Sequence, residues 1–253
     1  MLLVPLSISS ACLIAPNPRF VGDETQGETT ATETGLDGAE ASGAEAGGAD
    51  DECEAGMLDC DGEPGCETSA QSPLSCGSCD HSCEFAGAVH DCELGECVGS
   101  PVLSGFPDTY IDAEEPGLNR GMDNDLHLRG GDKAEESYIS LPPLPPGALV
   151  LDAKLVLDCG SPDLPASYDL YRVESPWSEQ ALTWQNRPQI SDAPVTSFLA
   201  EPGESVIELG VFADDWPAPH GITLRKANGD MAHTTCSSKE GDKPPRLELE
   251  LVW

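Results

Sequence analysis

From residue 106 onward, apolar side chains recur at every second position in short runs, and glycine and proline clusters separate the runs. Leu149, Leu151, Ala153, Leu155 and Leu157 alternate with Val150, Asp152, Lys154, Val156 and Asp158. Leu247, Leu249 and Leu251 alternate with Arg246, Glu248 and Glu250. A period of two puts one set on a single face of a β-strand and turns the other set toward water. The pattern predicts strands at 108–112, 125–129, 136–141, 149–158, 168–173, 194–199, 204–208, 221–226, 232–238 and 246–252. Many short strands of this kind close into two packed sheets. The expected fold class is therefore all-β, a two-sheet β-sandwich over 101–253, with Leu149 and Leu151 on its core face.

The first hundred residues are built differently. They hold 20 acidic residues and one basic residue, Arg19, against 26 acidic and 11 basic residues in 101–253. Between Gly22 and Asp51 there is one leucine and no aromatic residue. Such a stretch buries too little apolar surface to offset chain entropy, and its like charges repel, so 13–51 reads as an extended acidic linker. Ahead of it, Met1-Leu-Leu-Val-Pro-Leu-Ser-Ile-Ser-Ser-Ala-Cys12 is an apolar run ending in small residues before a cysteine. The run is too short to span a bilayer and suits an export signal over 1–12. It resembles a lipobox, which makes Cys12 the expected lipidation site; the competing reading is a plain secretory signal.

Cysteine usage agrees with export. Cys53, Cys60, Cys66, Cys76, Cys79, Cys83, Cys92 and Cys97 crowd into one glycine-rich stretch, and Cys159 and Cys236 lie in the sandwich. A segment with so few aliphatic residues holds a shape by cross-linking, so 52–100 is expected to be a disulfide-rich module whose pairing the spacing leaves open. Cys159 and Cys236 are expected to staple neighbouring strands. Zinc held by Cys76, Cys79, Cys83 and His81 or His90 is the competing use of the thiols, disfavoured outside a reducing compartment. Cys76-Gly-Ser-Cys79 also has redox-pair spacing, but no strand precedes it to open a helix there. Asp59-Cys-Asp61-Gly62 has part of a calcium-loop pattern without its distal glutamate.

Several phrases fall in a familiar order: Asp108-Thr-Tyr-Ile-Asp112, Asn119-Arg-Gly121, Ser137-Tyr-Ile-Ser-Leu-Pro, Ala153-Lys-Leu-Val-Leu157, Trp177-Ser-Glu179, Thr183-Trp-Gln-Asn-Arg-Pro188, His220-Gly-Ile-Thr-Leu224 and Pro245-Arg-Leu247. Together they resemble the DNRLRE family of extracellular jelly-roll domains, which overlaps carbohydrate-binding module family 96, over about residues 106–252. The chain departs from the family at Thr235-Cys236, where an aromatic residue is usual. The cysteine cluster is similar to the short cysteine-rich repeats of secreted myxobacterial proteins. The resemblance implies a sugar-binding sandwich. Some family members bind alginate, and Arg120, Arg129, Arg172, Arg187 and Arg225 are the cations this domain offers such a polyanion. A neutral glycan, or an acidic one bridged by calcium, fits the net negative charge better.

Sugar sites present flat aromatic rings for stacking, with polar side chains to take the hydroxyls. Trp177, Tyr110 and Tyr171, with Arg172 as hydrogen-bond donor, are the candidate carbohydrate contacts. Trp184 and Trp216 fit packing better, and Trp253 stays open. Asp108, Asp112 and Asp123 are the candidate ligands of a structural calcium ion; no other cofactor is expected. Nucleophile-elbow, His-Glu-x-x-His and phosphate-loop phrases are absent, which points to a non-catalytic binding protein. A net charge of -34 opposes nucleic acid and anionic membranes, leaving a lipid anchor as the route to a membrane. The expected partner is thus a polysaccharide or glycan, bound by a monomer that is secreted or anchored at the cell surface through the outer membrane. The alternative is a structural or adhesive sandwich without a sugar site.

Overall fold

In the computed structural model, the chain is described over 53–253 apart from 63, 64, 162, 164 and 227–230, so the signal, Cys12 and the acidic linker lie outside the described residues. The cysteine-rich region contributes β1 (Met57–Leu58), β2 (Thr68–Ser69), β3 (Glu84–Phe85), β4 (Ala88–Val89), β5 (Asp91–Glu93) and β6 (Glu96–Gly99). The larger region contributes β7 (Val102–Ser104), β8 (Asp108–Asp112), β9 (Asp125–Arg129), β10 (Glu135–Ile139), β11 (Leu149–Gly160) and β12 (Ala166–Arg172). It continues with β13 (Thr196–Ala200), β14 (Gly203–Glu208), β15 (Ile222–Lys226), β16 (His233–Ser237) and β17 (Arg246–Val252). Each of the ten strands expected from the alternation is present; the short strands before residue 105 carry no such signal.

β1 pairs with β2 and β3 with β4 as separate two-stranded sheets; the other strands follow one hydrogen-bonded path, β13-β12-β15-β10-β9-β16-β11-β17-β6-β5, with β8 beside β10, β14 beside β11 and β7 beside β17. Leu126, Ile139, Leu155, Leu170, Phe198, Ile207, Leu224 and Leu249 nevertheless meet in a single core. A path whose distant members share one core is folded over on itself, which makes the domain an antiparallel β-sandwich. The long strand β11 forms the corner: it pairs with β17 over Leu149–Val156, with β14 over Lys154–Cys159 and with β16 at Cys159 and Gly160.

One expectation fails there. Leu149 and Leu151 are exposed, 64% and 63%, whereas Val150 is buried. The ladder shifts between Val150, which faces Leu251, and Asp152, which faces Glu250, so Leu151 is an extra, unpaired residue. A bulge of one residue exchanges the faces of everything before it, because side chains alternate with period two. Ala153, Leu155 and Leu157 beyond the bulge are fully buried, as the alternation predicts.

The cysteine-rich region is held by Cys53–Cys66, Cys60–Cys79, Cys76–Cys92 and Cys83–Cys97. Its buried centre is the cysteines themselves, Cys76, Cys83 and Cys97, with Cys92 and Trp253 against them. These bonds remove Cys76, Cys79 and Cys83 as zinc ligands, and Cys76 and Cys79 are not paired with each other as a redox couple. Val98 and Gly99 of β6 add to β17 opposite Val252 and Leu251, and Cys97 and Trp253 exchange backbone hydrogen bonds of 2.8 and 3.0 Å. Trp253 packs edge-on to Phe85 and His90, so it joins the cysteine-rich region to the main core. In the sandwich, Cys159 and Cys236 stand directly opposite each other and are bonded.

Candidate functional site

The Trp177-to-Pro188 segment leaves β12 and folds back over the sheet face that points away from the main core. There Leu182 is buried with Ile111, Tyr138 and Val173, and Trp177, Trp184 and Ile190 pack around them. The local sequence fixes this path. The Asn186 side chain accepts from the Thr183 amide at 2.7 Å and hydroxyl at 3.0 Å and donates to the Ala181 carbonyl at 2.8 Å, closing a capping box around a single 3-10 turn. From the other side, the Asn119 amide nitrogen donates to the carbonyls of Glu179 (2.7 Å) and Leu182 (2.8 Å), and a side chain at Gly121 would overlap the Glu179 carbonyl. The Asn-Arg-Gly, Trp-Ser-Glu and Thr-Trp-Gln-Asn phrases are thus one interlocked framework.

The loops at this end of the sheet, before β8 and β15 and after β10 and β12, surround a cleft of about 480 Å³. Pro107, Pro176, Trp177 and Pro219 supply apolar wall, and Ser140, Gln180 and His220 supply polar groups. Trp177 is held in place: its indole nitrogen donates to the His220 carbonyl at 2.7 Å and Tyr138 meets it edge-on at 6.0 Å. Gln180 stands exposed on the rim. An aromatic ring fixed by its edge, beside amide and hydroxyl groups in a shallow cleft, is what a pyranose face requires. A second cleft of about 410 Å³ lies between the cysteine-rich region and the sandwich, lined by Phe85, Leu144, Pro145 and Trp253 with His81 and Asp80.

The other expected contacts are not gathered at the Trp177 cleft. Tyr110 is buried, 4% exposed, stacked on His127 at 4.3 Å with its hydroxyl donating to Asp123, so it offers no free ring face. Tyr171 and Arg172 are consecutive in β12 and point to opposite faces of the sheet. Arg225 covers the Tyr171 ring at 5.4 Å, while Arg172 is bound to the Asp215 side chain and carbonyl and lies over Phe212. Trp216 packs against the main core with its nitrogen donating to the Pro142 carbonyl, and Trp184 carries the Arg187 guanidinium over its ring at 4.4 Å. Ser140, Gln180 and His220 carry no signal in the sequence beyond the proximity of Gln180 to Trp177.

The three aspartates expected to share calcium do not converge. Asp112 and Asp123 flank Arg120, at 3.9 and 3.5 Å, so a guanidinium stands where a cation would. Asp108 lies instead with Glu179 and Glu240. There the Lys239 ammonium meets Glu179 at 2.6 Å and Glu240 at 3.0 Å, and supplies the charge a metal would bring.

Asp108 is 1% exposed; one carboxylate oxygen accepts the Lys239 amide at 2.9 Å and the other has no hydrogen-bond partner among the described residues. Burial pushes its pKa up to about 7, with Glu240 and Glu179 adding to the rise against the Lys239 amide and ammonium. In the unfolded chain an aspartate titrates near ~3.9. The folded state therefore holds a proton the unfolded state releases, and this contribution to stability is complete below pH ~4 and lost as pH rises through about 7. Its slope is at most ~1.4 kcal/mol per pH unit. Chemical denaturation at pH 5 and pH 8 is expected to show the loss, and Asp108→Asn is expected to flatten it; an unchanged profile in the variant would place the titration elsewhere.

An antiparallel sandwich with a cleft among its end loops lined by a tryptophan is an architecture suited to a carbohydrate-binding module. The profile of carbohydrate-binding module family 96 matches residues 103–250, more than half of the chain, and the chain belongs to that family. No curated protein matches the chain in sequence.

Proposed function

We propose that this protein is a non-catalytic binder of a neutral polysaccharide, with Trp177 as the stacking platform and Gln180, Ser140 and His220 as hydroxyl partners. The observation that carries this reading is the Trp177 cleft, where a locked indole and neutral polar groups share one concavity with Glu179, whose charge is met by Lys239. The arginines argue for a neutral ligand. Arg120 meets Asp112, Glu115 and Asp123; Arg129 meets Glu114; Arg172 meets Asp215; and Arg225 meets Glu136 at 2.7 Å. Four of the five cations a polyuronate would seek are thus already opposed by carboxylates. Export, a lipid on Cys12 and the acidic tether complete the proposal: the module is displayed as a monomer away from a membrane surface. Five disulfides suit an oxidising compartment.

Affinity electrophoresis of the full chain tests the reading, with β-glucans, xylan and mannan against alginate, each with and without chelator. Retardation by a neutral polymer is expected, reduced at least ~10-fold in affinity by Trp177→Ala, the range for losing a buried aromatic contact. Gln180→Ala, on an exposed side chain, is expected to weaken binding without touching the fold. Retardation by alginate alone in chelator would overturn the neutral-ligand reading. Loss in Trp253→Ala with Trp177→Ala unaffected would move the site to the second cleft.

A further inference from the structure

Beside the Tyr110 ring, which stacks on His127, lies a cluster that the proposed sugar site does not use. His127 Nδ1 and His233 Nε2 are 3.2 Å apart, His233 Nε2 is 3.2 Å from Glu135 Oε2, and His127 Nδ1 is 3.6 Å from Glu135 Oε1. We infer that His127, Glu135 and His233 form a binding site for a divalent transition metal ion of the zinc type, with one coordination position left open.

The spacing supports it first. An ion about 2.0–2.1 Å from each ligand in tetrahedral geometry sets neighbouring ligand atoms roughly 3.3 Å apart. The edge between the two imidazole nitrogens, 3.2 Å, and that from His233 Nε2 to Glu135 Oε2, 3.2 Å, lie close to that value, and the other carboxylate oxygen stands 3.6 Å from His127 Nδ1. The donor set is two imidazoles and one carboxylate, which suits zinc and its neighbours and is poor for calcium or magnesium, which take oxygen ligands.

Proton accounting supports it independently. His233 Nε2 faces both an imidazole nitrogen and a carboxylate oxygen, and a neutral ring has at most one proton there to share between them. Glu135 Oε2, though 3.2 Å from His233 Nε2, is buried without an aligned hydrogen-bond partner among the described residues. Buried polar atoms are ordinarily satisfied, and an ion at the centre would satisfy all three groups at once.

The frame is rigid. All three residues sit on strands: His127 and Thr235 are paired across β9 and β16, as are Arg129 and His233, which makes the two histidines diagonal neighbours on one face. Glu135 enters from β10 opposite Arg129. Tyr110 stacks on the His127 ring at an interplanar angle of 10°, the Ser137 hydroxyl donates to the His127 carbonyl at 2.8 Å, and the His233 amide donates to Asp163 at 3.0 Å. Side-chain exposures of 24%, 12% and 39% for His127, Glu135 and His233 leave one side of the cluster toward solvent, where a water or ligand atom completes the shell.

The test is direct titration of the intact, oxidised full chain with zinc, followed by cobalt to read geometry from its visible absorption. One ion per chain is expected, with a tetrahedral cobalt spectrum. His233→Ala, at the most exposed of the three, is expected to weaken zinc binding by more than ~100-fold, since losing even an outer partner of a metal ligand costs 10–100-fold. Glu135→Gln is expected to behave likewise. Trp177→Ala is expected to bind zinc as the parent does. Circular dichroism of each variant shows that it is folded. No zinc binding by the parent at micromolar concentrations, or equal binding by folded His233→Ala and Glu135→Gln, overturns the inference.

Discussion

Replacing Cys159 and Cys236 together by alanine is expected to remove about 4.5 kcal/mol or more from the unfolding free energy. The two residues are 77 apart in sequence. A cross-link over a loop of that size restricts the unfolded chain by roughly 4.5 kcal/mol in the chain-entropy treatment. The bond also sits at a structural seam: Cys159↔Cys236 and Gly160↔Thr235 are the pairs that join β16 to β11. Both side chains are buried in the main core, so the alanine pair adds a small cavity to the entropy lost. Urea denaturation read by circular dichroism measures the change; a loss below about 1 kcal/mol would mean that the cross-link between β11 and β16 adds little to the packing and hydrogen bonds at that seam. The module at 53–97 responds differently to reduction. Its buried centre is sulfur, so reducing its four disulfides removes the core along with the cross-links.

The fold was largely legible because a sandwich writes itself into a sequence one residue in two. Leu247, Leu249 and Leu251 point inward as their alternation requires. The exception, at Leu149 and Leu151, comes from a bulge, which changes register without changing composition and so leaves no trace in a period-two pattern. Disulfide pairing in 53–97 was illegible for a related reason: spacing alone does not choose among partners that only the folded backbone brings together. The site was legible in part. Trp177 stands in the cleft, but Tyr110 reads from sequence like any strand aromatic, and its burial depends on His127, seventeen positions later and on another strand. His127, Glu135 and His233 share no motif at all. Their juxtaposition is a product of register between β9, β10 and β16. The aspartates do not converge as a calcium set because Arg120 and Lys239, whose pairing with these carboxylates no sequence spacing signals, fold in among them.

The largest effect at the cleft itself is expected from Gly221→Ala. Gly221 has φ +74°, and a Cβ there would overlap the Ile139 carbonyl oxygen and stand 2.7 Å from Ser140 Cα. Both obstacles are backbone of β10 and its exit, which cannot rotate away. The residue is also a node: its amide donates to the Pro217 carbonyl at 2.6 Å, and its carbonyl accepts from the Val173 amide at 3.0 Å. Those bonds set the path of Pro219 and His220 into the cleft wall and the exit of β12 toward Trp177. Left-handed backbone costs an alanine about 1–2 kcal/mol, and forcing a group into closed packing costs typically 1–3 kcal/mol more. The two parts separate experimentally, because Gly147 has nearly the same φ, +77°, with nothing within 4 Å of its would-be Cβ. Gly147→Ala is expected to show the conformational cost alone, about 1–2 kcal/mol, with glycan binding intact. Gly221→Ala is expected to cost about 3 kcal/mol or more and to abolish retardation by the polysaccharide even below its melting temperature, since relieving the overlap pushes β15 from β10 and moves His220, the acceptor that fixes the Trp177 ring. Equal destabilisation in the two variants would show that the contact with Ile139 relaxes without cost and that the cleft is not braced by this glycine.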